Sequence, residues 1–128
     1  MPDESVIRET IESYWKAFTA GDGDAWVALF TDDATVEDPV GSGVHRGREA
    51  IRAFFDTSHS LADSIELRSV DITAVVGNEA AFAMEIRPVI GGAEMVLEAI
   101  DVMTFADDGR ITSQRAFWQM EKMRPASD

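Results

Sequence analysis

Asp101 stands out because it is a polar residue on an otherwise apolar face. In the alternating stretch 94–105, the other odd-numbered residues are Met95, Leu97, Ala99, Met103 and Phe105. An ionised carboxylate on a buried face is costly, so Asp101 is expected to have a raised pKa and to be a neutral acid that can donate its proton. The strand could instead leave the core at Asp101, or an arginine could pair with this residue.

Asp38 and Tyr14 occupy comparable positions. Asp38 shares one face of the alternating segment 34–40 with two valines, and the following Pro39 favours an extended backbone at Asp38. If it is ionised there, Asp38 could act as a general base. Tyr14, the only tyrosine, lies within the apolar stripe of a predicted helix. Alternatively, Asp38 starts a turn and Tyr14 is a core aromatic. One base with two neutral donors suits proton abstraction beside a carbonyl, whose enolate oxygen the donors stabilise.

The hydropathy pattern predicts helices first and strands afterwards. Apolar residues at three- and four-residue spacing predict a helix that starts near Asp3 or Ser5 and ends at Gly21, followed by helices at 24–30 and 48–58. Strands are predicted at 34–40, 65–75, 80–90, 94–105 and 110–123. This order favours an α+β fold, in which a curved, mostly antiparallel sheet and about three N-terminal helices enclose a pocket. One domain is expected over residues 1–128.

The composition argues against several classes of function. With 24 acidic and 11 basic residues among 128, the net charge is −13, which disfavours nucleic acid and anionic membrane surfaces as partners. No apolar run approaches the roughly 20 residues of a membrane helix, and the N-terminus does not resemble a signal peptide, so a cytoplasmic protein is expected. The sequence has no cysteine and two histidines, which excludes thiolate chemistry and leaves little for a metal site.

The segment 31–41, TDDATVEDPVG, resembles the motif around the general base of bacterial steroid Δ5-isomerases, or ketosteroid isomerases. These enzymes belong to the cone-shaped nuclear-transport-factor-2-like (SnoaL-like) superfamily. The resemblance extends from about Thr10 to Met120 through the segments 20–22, 27–30, 78–83, 100–101 and 109–111. Asp101 is its most informative residue, because many relatives that are not isomerases lack this acid.

The resemblance implies a role for each of the three polar residues. Asp38 falls on the family's base, Tyr14 on its oxyanion-hole tyrosine and Asp101 on its protonated acid. A 3-oxo-Δ5-steroid would bind with its carbonyl oxygen between Tyr14 and Asp101. Asp38 would then carry a proton from carbon 4 to carbon 6 through a dienolate, giving the Δ4-enone. Neither a cofactor nor a metal is needed for this reaction.

The resemblance also suggests a steroid pocket and a dimer. An apolar substrate requires apolar walls, and the candidates are Phe54, Phe82, Met84, Met103, Trp118 and Met120. Relatives usually pair through the open face of the sheet, so a homodimer is expected through the even-numbered face of 94–105, with Val96, Ile100 and Val102. Phe30 and Phe55 stand where some members of the family carry further tyrosines.

Two other classes of function remain possible. Dehydratases of this superfamily use histidine, but His45 and His59 lie near predicted helix ends with no inward-facing stripe. Epoxide hydrolases of this shape use an Asp-Arg-Asp arrangement, which Arg87 or Arg115 could complete only by pointing into the pocket beside Asp101. A non-catalytic protein that binds steroids or other hydrophobic ligands would keep the pocket without needing both acids.

Overall fold

Three helices form one layer of the fold. The computed structural model describes residues 1–126 except for the side chain of Thr73. The helices are α1 (Glu4–Ala20), α2 (Gly23–Val27) and α3 (Arg48–Ser60). Helix α1 ends at Gly21, whose φ of 70° lies in the left-handed region that glycine adopts without strain. Helix α2 is shorter than predicted, because Phe30 already belongs to the first strand.

The second layer is a single curved sheet. Its strands are β1 (Phe30–Glu37), β2 (His45–Arg46), β3 (Ser64–Val76), β4 (Glu79–Ile90), β5 (Ala93–Phe105), β6 (Ile111–Phe117) and β7 (Arg124–Pro125). The order is β2-β1-β6-β5-β4-β3, and β7 pairs with β5 outside this path. Strands β1 and β6 run parallel, whereas the other neighbours are antiparallel. The predicted α+β fold with a mostly antiparallel sheet is therefore confirmed.

The C-terminal part of the chain differs from the prediction. The strand expected at 110–123 ends at Phe117, and Met120–Lys122 form a single 3₁₀ turn. The chain then returns as β7, which pairs with Met95 and Val96 of β5. Val96 is consequently buried, so the prediction that it belongs to the exposed face of β5 is wrong.

The core lies between the helices and the inner face of the sheet. Helix α1 packs on β3, and α3 packs on β1. A cluster of aromatic side chains fills the space where the three helices meet, formed by Tyr14, Phe18, Trp26, Phe30 and Phe55. No helix within the described residues is long and apolar enough to cross a membrane. Two members of this cluster, Tyr14 and Phe18, also line a cavity.

Candidate active site

A cavity of about 440 Å³ opens between α3, the inner face of the sheet and the segment after β6. This volume lies within the range of about 300–1,000 Å³ that is typical of small-molecule sites. Its wall is largely apolar, and the polar residues that line it are Tyr14, Asp38, His45, Thr57, Ser58 and Trp118. Such a wall suits a ligand that is mostly hydrocarbon and carries few polar groups.

Four of the six predicted wall residues line this cavity, namely Phe54, Met84, Trp118 and Met120. Phe82 and Met103 do not line it and are fully buried in the core. The ring of Phe82 meets that of Trp15 edge-on, with the ring centroids 5.4 Å apart. Assigning Phe82 and Met103 to the wall is therefore wrong: alternation identifies the inner face of a strand but not the part of that face that a helix covers.

Asp38 follows directly after the end of β1 and lines the cavity, where its side chain is half-buried. Its Oδ1 accepts a hydrogen bond from Trp118 Nε1 at 2.6 Å, and its Oδ2 accepts one from Gln114 Nε2 at 3.3 Å. Burial raises the pKa of Asp38, whereas these hydrogen bonds and the charge of His45 lower that pKa in part. The two donors therefore stabilise an ionised carboxylate that faces the cavity.

Asp101 lies in β5 and is fully buried beside the cavity, without lining it. Its Oδ2 accepts a hydrogen bond from Gln114 Nε2 at 2.9 Å, and its Oδ1 has no partner among residues 1–126. Burial raises the pKa of Asp101 well above its usual value, and the negative charge of Asp38 raises that pKa further. Since Asp38 has more hydrogen bonds and more exposure, Asp101 is the acid of the pair that keeps its proton.

Tyr14 reaches the cavity from helix α1 and is 1% exposed. Burial raises the pKa of its phenol well above the usual value, and the charges of Asp101 and Asp38 act in the same direction. Its ring packs against Trp26 and Phe30, with ring centroids 5.6 and 6.5 Å away. The phenol is therefore neutral and fixed in place. The fold thus brings Tyr14, Asp38 and Asp101 together from three separate elements.

Gln114 is a polar residue of the site that the sequence analysis missed. It is fully buried in β6 and donates to both acids from one amide nitrogen. The alternation of β6 places Gln114 on the same inward face as Ala116, so the criterion that singled out Asp101 could have found it. The hydrogen bond from Trp118 to Asp38 was missed as well, since Trp118 was predicted only as a wall.

The histidines and arginines bear on the alternative functions. His45 lines the cavity with its ring centroid 5.1 Å from that of Phe54, so the prediction that it lacks an inward position is wrong. Arg87 is paired with Glu85 at 2.9 Å, and Arg115 is bonded to a glutamate outside the cavity. No arginine lines the cavity within the described part of the chain, so the arrangement expected of an epoxide hydrolase is not formed there.

Comparison with protein families gives a match over most of the chain. A family model for the SnoaL-like domain matches residues 11–114. The chain belongs to the SnoaL-like family. This SnoaL-like protein is 43% identical over 112 residues to a steroid Δ-isomerase of Nocardioides simplex, and the alignment covers 88% of this chain and 89% of that enzyme.

Solved structures show the same SnoaL-like fold. One of them is SalBIII, an epoxide hydrolase/cyclase-like enzyme with a role in pyran ring formation in the polyether salinomycin. It is 31% identical to this chain with a TM-score of 0.87, and the match covers 98% of this chain and 99% of SalBIII. RV0760c from Mycobacterium tuberculosis, solved in complex with estradiol-17beta-hemisuccinate, is 23% identical with a TM-score of 0.83, covering 93% and 98%. The second likeness concerns the fold alone.

Proposed function

We propose that this SnoaL-like protein is a steroid Δ-isomerase that converts 3-oxo-Δ5-steroids into 3-oxo-Δ4-steroids. The observation that carries the proposal is a pair of carboxyl groups, Asp38 and Asp101, joined through Gln114 Nε2 beside an apolar cavity. Asp38 faces the cavity as a hydrogen-bonded carboxylate, whereas the buried Asp101 keeps its proton. The 43% identity to a steroid Δ-isomerase supports the same reaction.

In the proposed reaction, the steroid fills the apolar cavity with its 3-oxo group at the polar end. The Tyr14 hydroxyl donates a hydrogen bond to the carbonyl oxygen from the cavity wall, and the protonated Asp101, buried next to that wall, donates a second one when the oxygen enters deeply enough to reach it. Asp38 takes a proton from carbon 4, and the electron pair of the broken C–H bond moves into a dienolate whose oxygen carries the negative charge. Asp38 then returns the same proton to carbon 6, so the double bond moves and no atom is gained or lost.

The protonation states suit these roles. A donor helps only if it still holds its proton when the charge develops on the steroid oxygen, and the raised pKa values of Tyr14 and Asp101 favour this. Each such donor contributes about 10²–10³ in rate in a site that excludes water. A general base must be ionised, and the hydrogen bonds from Trp118 and Gln114 favour the ionised form of Asp38. The reaction requires neither a metal nor a cofactor.

The direct test follows the ultraviolet absorbance of the conjugated enone after mixing with a 3-oxo-Δ5-steroid. The wild-type protein should give a rapid signal, and Asp38→Asn should lose it. Asp71→Asn is the matched control, since Asp71 is exposed on β3 and the same chemical change there should leave the rate unaltered. A folded wild-type protein that binds the steroid without producing the enone would instead be a binding protein.

A homodimer is also part of the proposal. Ile100 and Phe117 are directly paired across β5 and β6 on the outer face of the sheet, and they are 46% and 42% exposed. With the neighbouring Val102 they form an apolar patch that a second copy of the chain could cover. Size-exclusion chromatography with light scattering should give the mass of two chains. A monomer at micromolar concentration would contradict the dimer and leave the proposed reaction untouched.

A further inference from the structure

Gln114 occupies the strand that separates the two acids. In the sheet, β6 lies between β1 and β5, and Gln114 is aligned with Val36 on one side and Met103 on the other. Asp38 follows the end of β1, and Asp101 lies in β5. The Gln114 amide nitrogen is 3.3 Å from Asp38 Oδ2 and 2.9 Å from Asp101 Oδ2. One side chain therefore connects the proposed base with the proposed acid.

The chemistry of a primary amide fits this position. Its nitrogen carries two hydrogens, so it can donate to two acceptors at once while staying neutral. An apolar side chain of similar size would leave both carboxyl groups with one donor fewer in a buried place, which is unfavourable. The Gln114 Oε1 is buried without a partner among the described residues. The described residues therefore form hydrogen bonds with the NH₂ group of the amide and not with its oxygen.

The two hydrogen bonds from Gln114 Nε2 to Asp38 and Asp101 form a bridge, and this bridge indicates which oxygen of Asp101 carries the proton. Asp101 Oδ2 accepts the amide hydrogen, so the acid proton belongs on Oδ1, the oxygen that has no partner within residues 1–126. On Asp38, Trp118 holds Oδ1 and Gln114 holds Oδ2, which fixes the plane of the carboxylate. The same amide therefore orients a proton donor and a proton acceptor.

We propose that Gln114 is a positioning residue for the isomerase reaction, holding Asp38 and Asp101 in a fixed geometry through its two hydrogen bonds. This inference rests on the proposed function. The charge of His45 on β2 lowers the pKa of Asp38, and the charge of Asp38 in turn raises the pKa values of Tyr14 on α1 and Asp101 on β5. None of these donates a hydrogen bond to either carboxyl group, so Trp118 and Gln114 are the donors present in the described part of the chain.

Gln114→Met tests the bridge, because methionine has a similar shape and no hydrogen to donate. We expect kcat to fall about 10- to 100-fold with KM changed less than about twofold. We also expect the pH below which kcat/KM declines to move upward, since Gln114 lowers the pKa of Asp38. The matched control is Gln119→Met, the same change at an exposed position, which should behave like wild type.

A titration without substrate separates this inference from the proposed function. In protein labelled with ¹³C at the aspartate carboxyl groups, the chemical shift of Asp38 should titrate at higher pH in Gln114→Met than in wild type, whether or not the protein isomerises steroids. If Gln114→Met does not fold, Gln114→Glu keeps the shape and donates at most one hydrogen, and the same upward shift is expected. A titration and a kcat equal to those of Gln119→Met would overturn the proposal.

Discussion

Replacing Asp101 in two ways isolates its role as a hydrogen-bond donor. Asparagine keeps the shape of the side chain, and its amide can still donate from the position of Oδ1 while its oxygen accepts from Gln114, as Oδ2 does now at 2.9 Å. Leucine keeps the approximate volume and removes both functions. Since Asp101 is fully buried, both variants test one contact in a defined environment.

The expected magnitudes follow from the number of donors. If Tyr14 and Asp101 share the charge on the steroid oxygen, removing one of them costs about 10²–10³ in kcat, or about 2.7–4 kcal/mol of transition-state stabilisation. Asp101→Leu should show this full loss. Asp101→Asn retains a neutral N–H donor and should therefore lose much less, about tenfold or below. The difference between the variants measures the hydrogen bond, because neither carries a charge.

The assay is the rate of enone formation at saturating steroid, with thermal unfolding to confirm that both variants fold. Asp71→Asn, the same chemical change at an exposed position of β3, is the control and should leave the rate unaltered. Equal rates for Asp101→Asn and Asp101→Leu would refute the reasoning, since a donor would then make no difference. A wild-type rate in Asp101→Leu would remove Asp101 from the mechanism.

Three further predictions concern the same cavity. Tyr14→Phe should lower kcat about 10²–10³-fold while steroid affinity, measured by fluorescence titration, stays within about threefold; an unchanged kcat would leave Asp101 as the only donor. His45→Gln should retain most of the isomerase activity, whereas loss of all activity would favour a histidine-dependent reaction. Because the pKa of Asp101 is raised, the folded state binds a proton that the unfolded chain releases, so the free energy of unfolding should fall as pH rises above about 4. In denaturant titrations, the free energy of unfolding of Asp101→Asn should fall less with pH than that of the wild type. Parallel curves for the two proteins would contradict this.

The sequence predicts those elements of the fold that local patterns determine. Strands β3, β4 and β5 agree with the predicted ranges to within one residue at each end, because turns with glycine or asparagine bound runs of alternating apolar residues. Strand β6 was predicted too long, since Trp118 and Met120 continue the apolar alternation beyond the end of the strand. There the apolar side chains line a cavity rather than extend the sheet.

The alternation of apolar and polar residues also explains which residues of the site the sequence predicts and which it does not. It identified Asp101 as a polar residue on an inward face, and the structure places this residue next to Gln114. The bridge from Gln114 to Asp38 depends on the parallel pairing of β1 with β6, which joins residues far apart in the chain. No local pattern specifies that register. The part of the inner face that α1 covers, including Phe82, is likewise determined by tertiary packing.

The central claim is that one carboxylate, Asp38, carries one proton between two carbons of the same steroid. A 3-oxo-Δ5-steroid deuterated at carbon 4 tests this most directly, with the product of the first turnovers in ordinary water analysed by mass spectrometry and NMR. Transfer by Asp38 predicts substantial deuterium at carbon 6, and no enone above the uncatalysed rate in Asp38→Asn. Enone that carries no deuterium at carbon 6, or that forms at the wild-type rate in Asp38→Asn, would contradict the account.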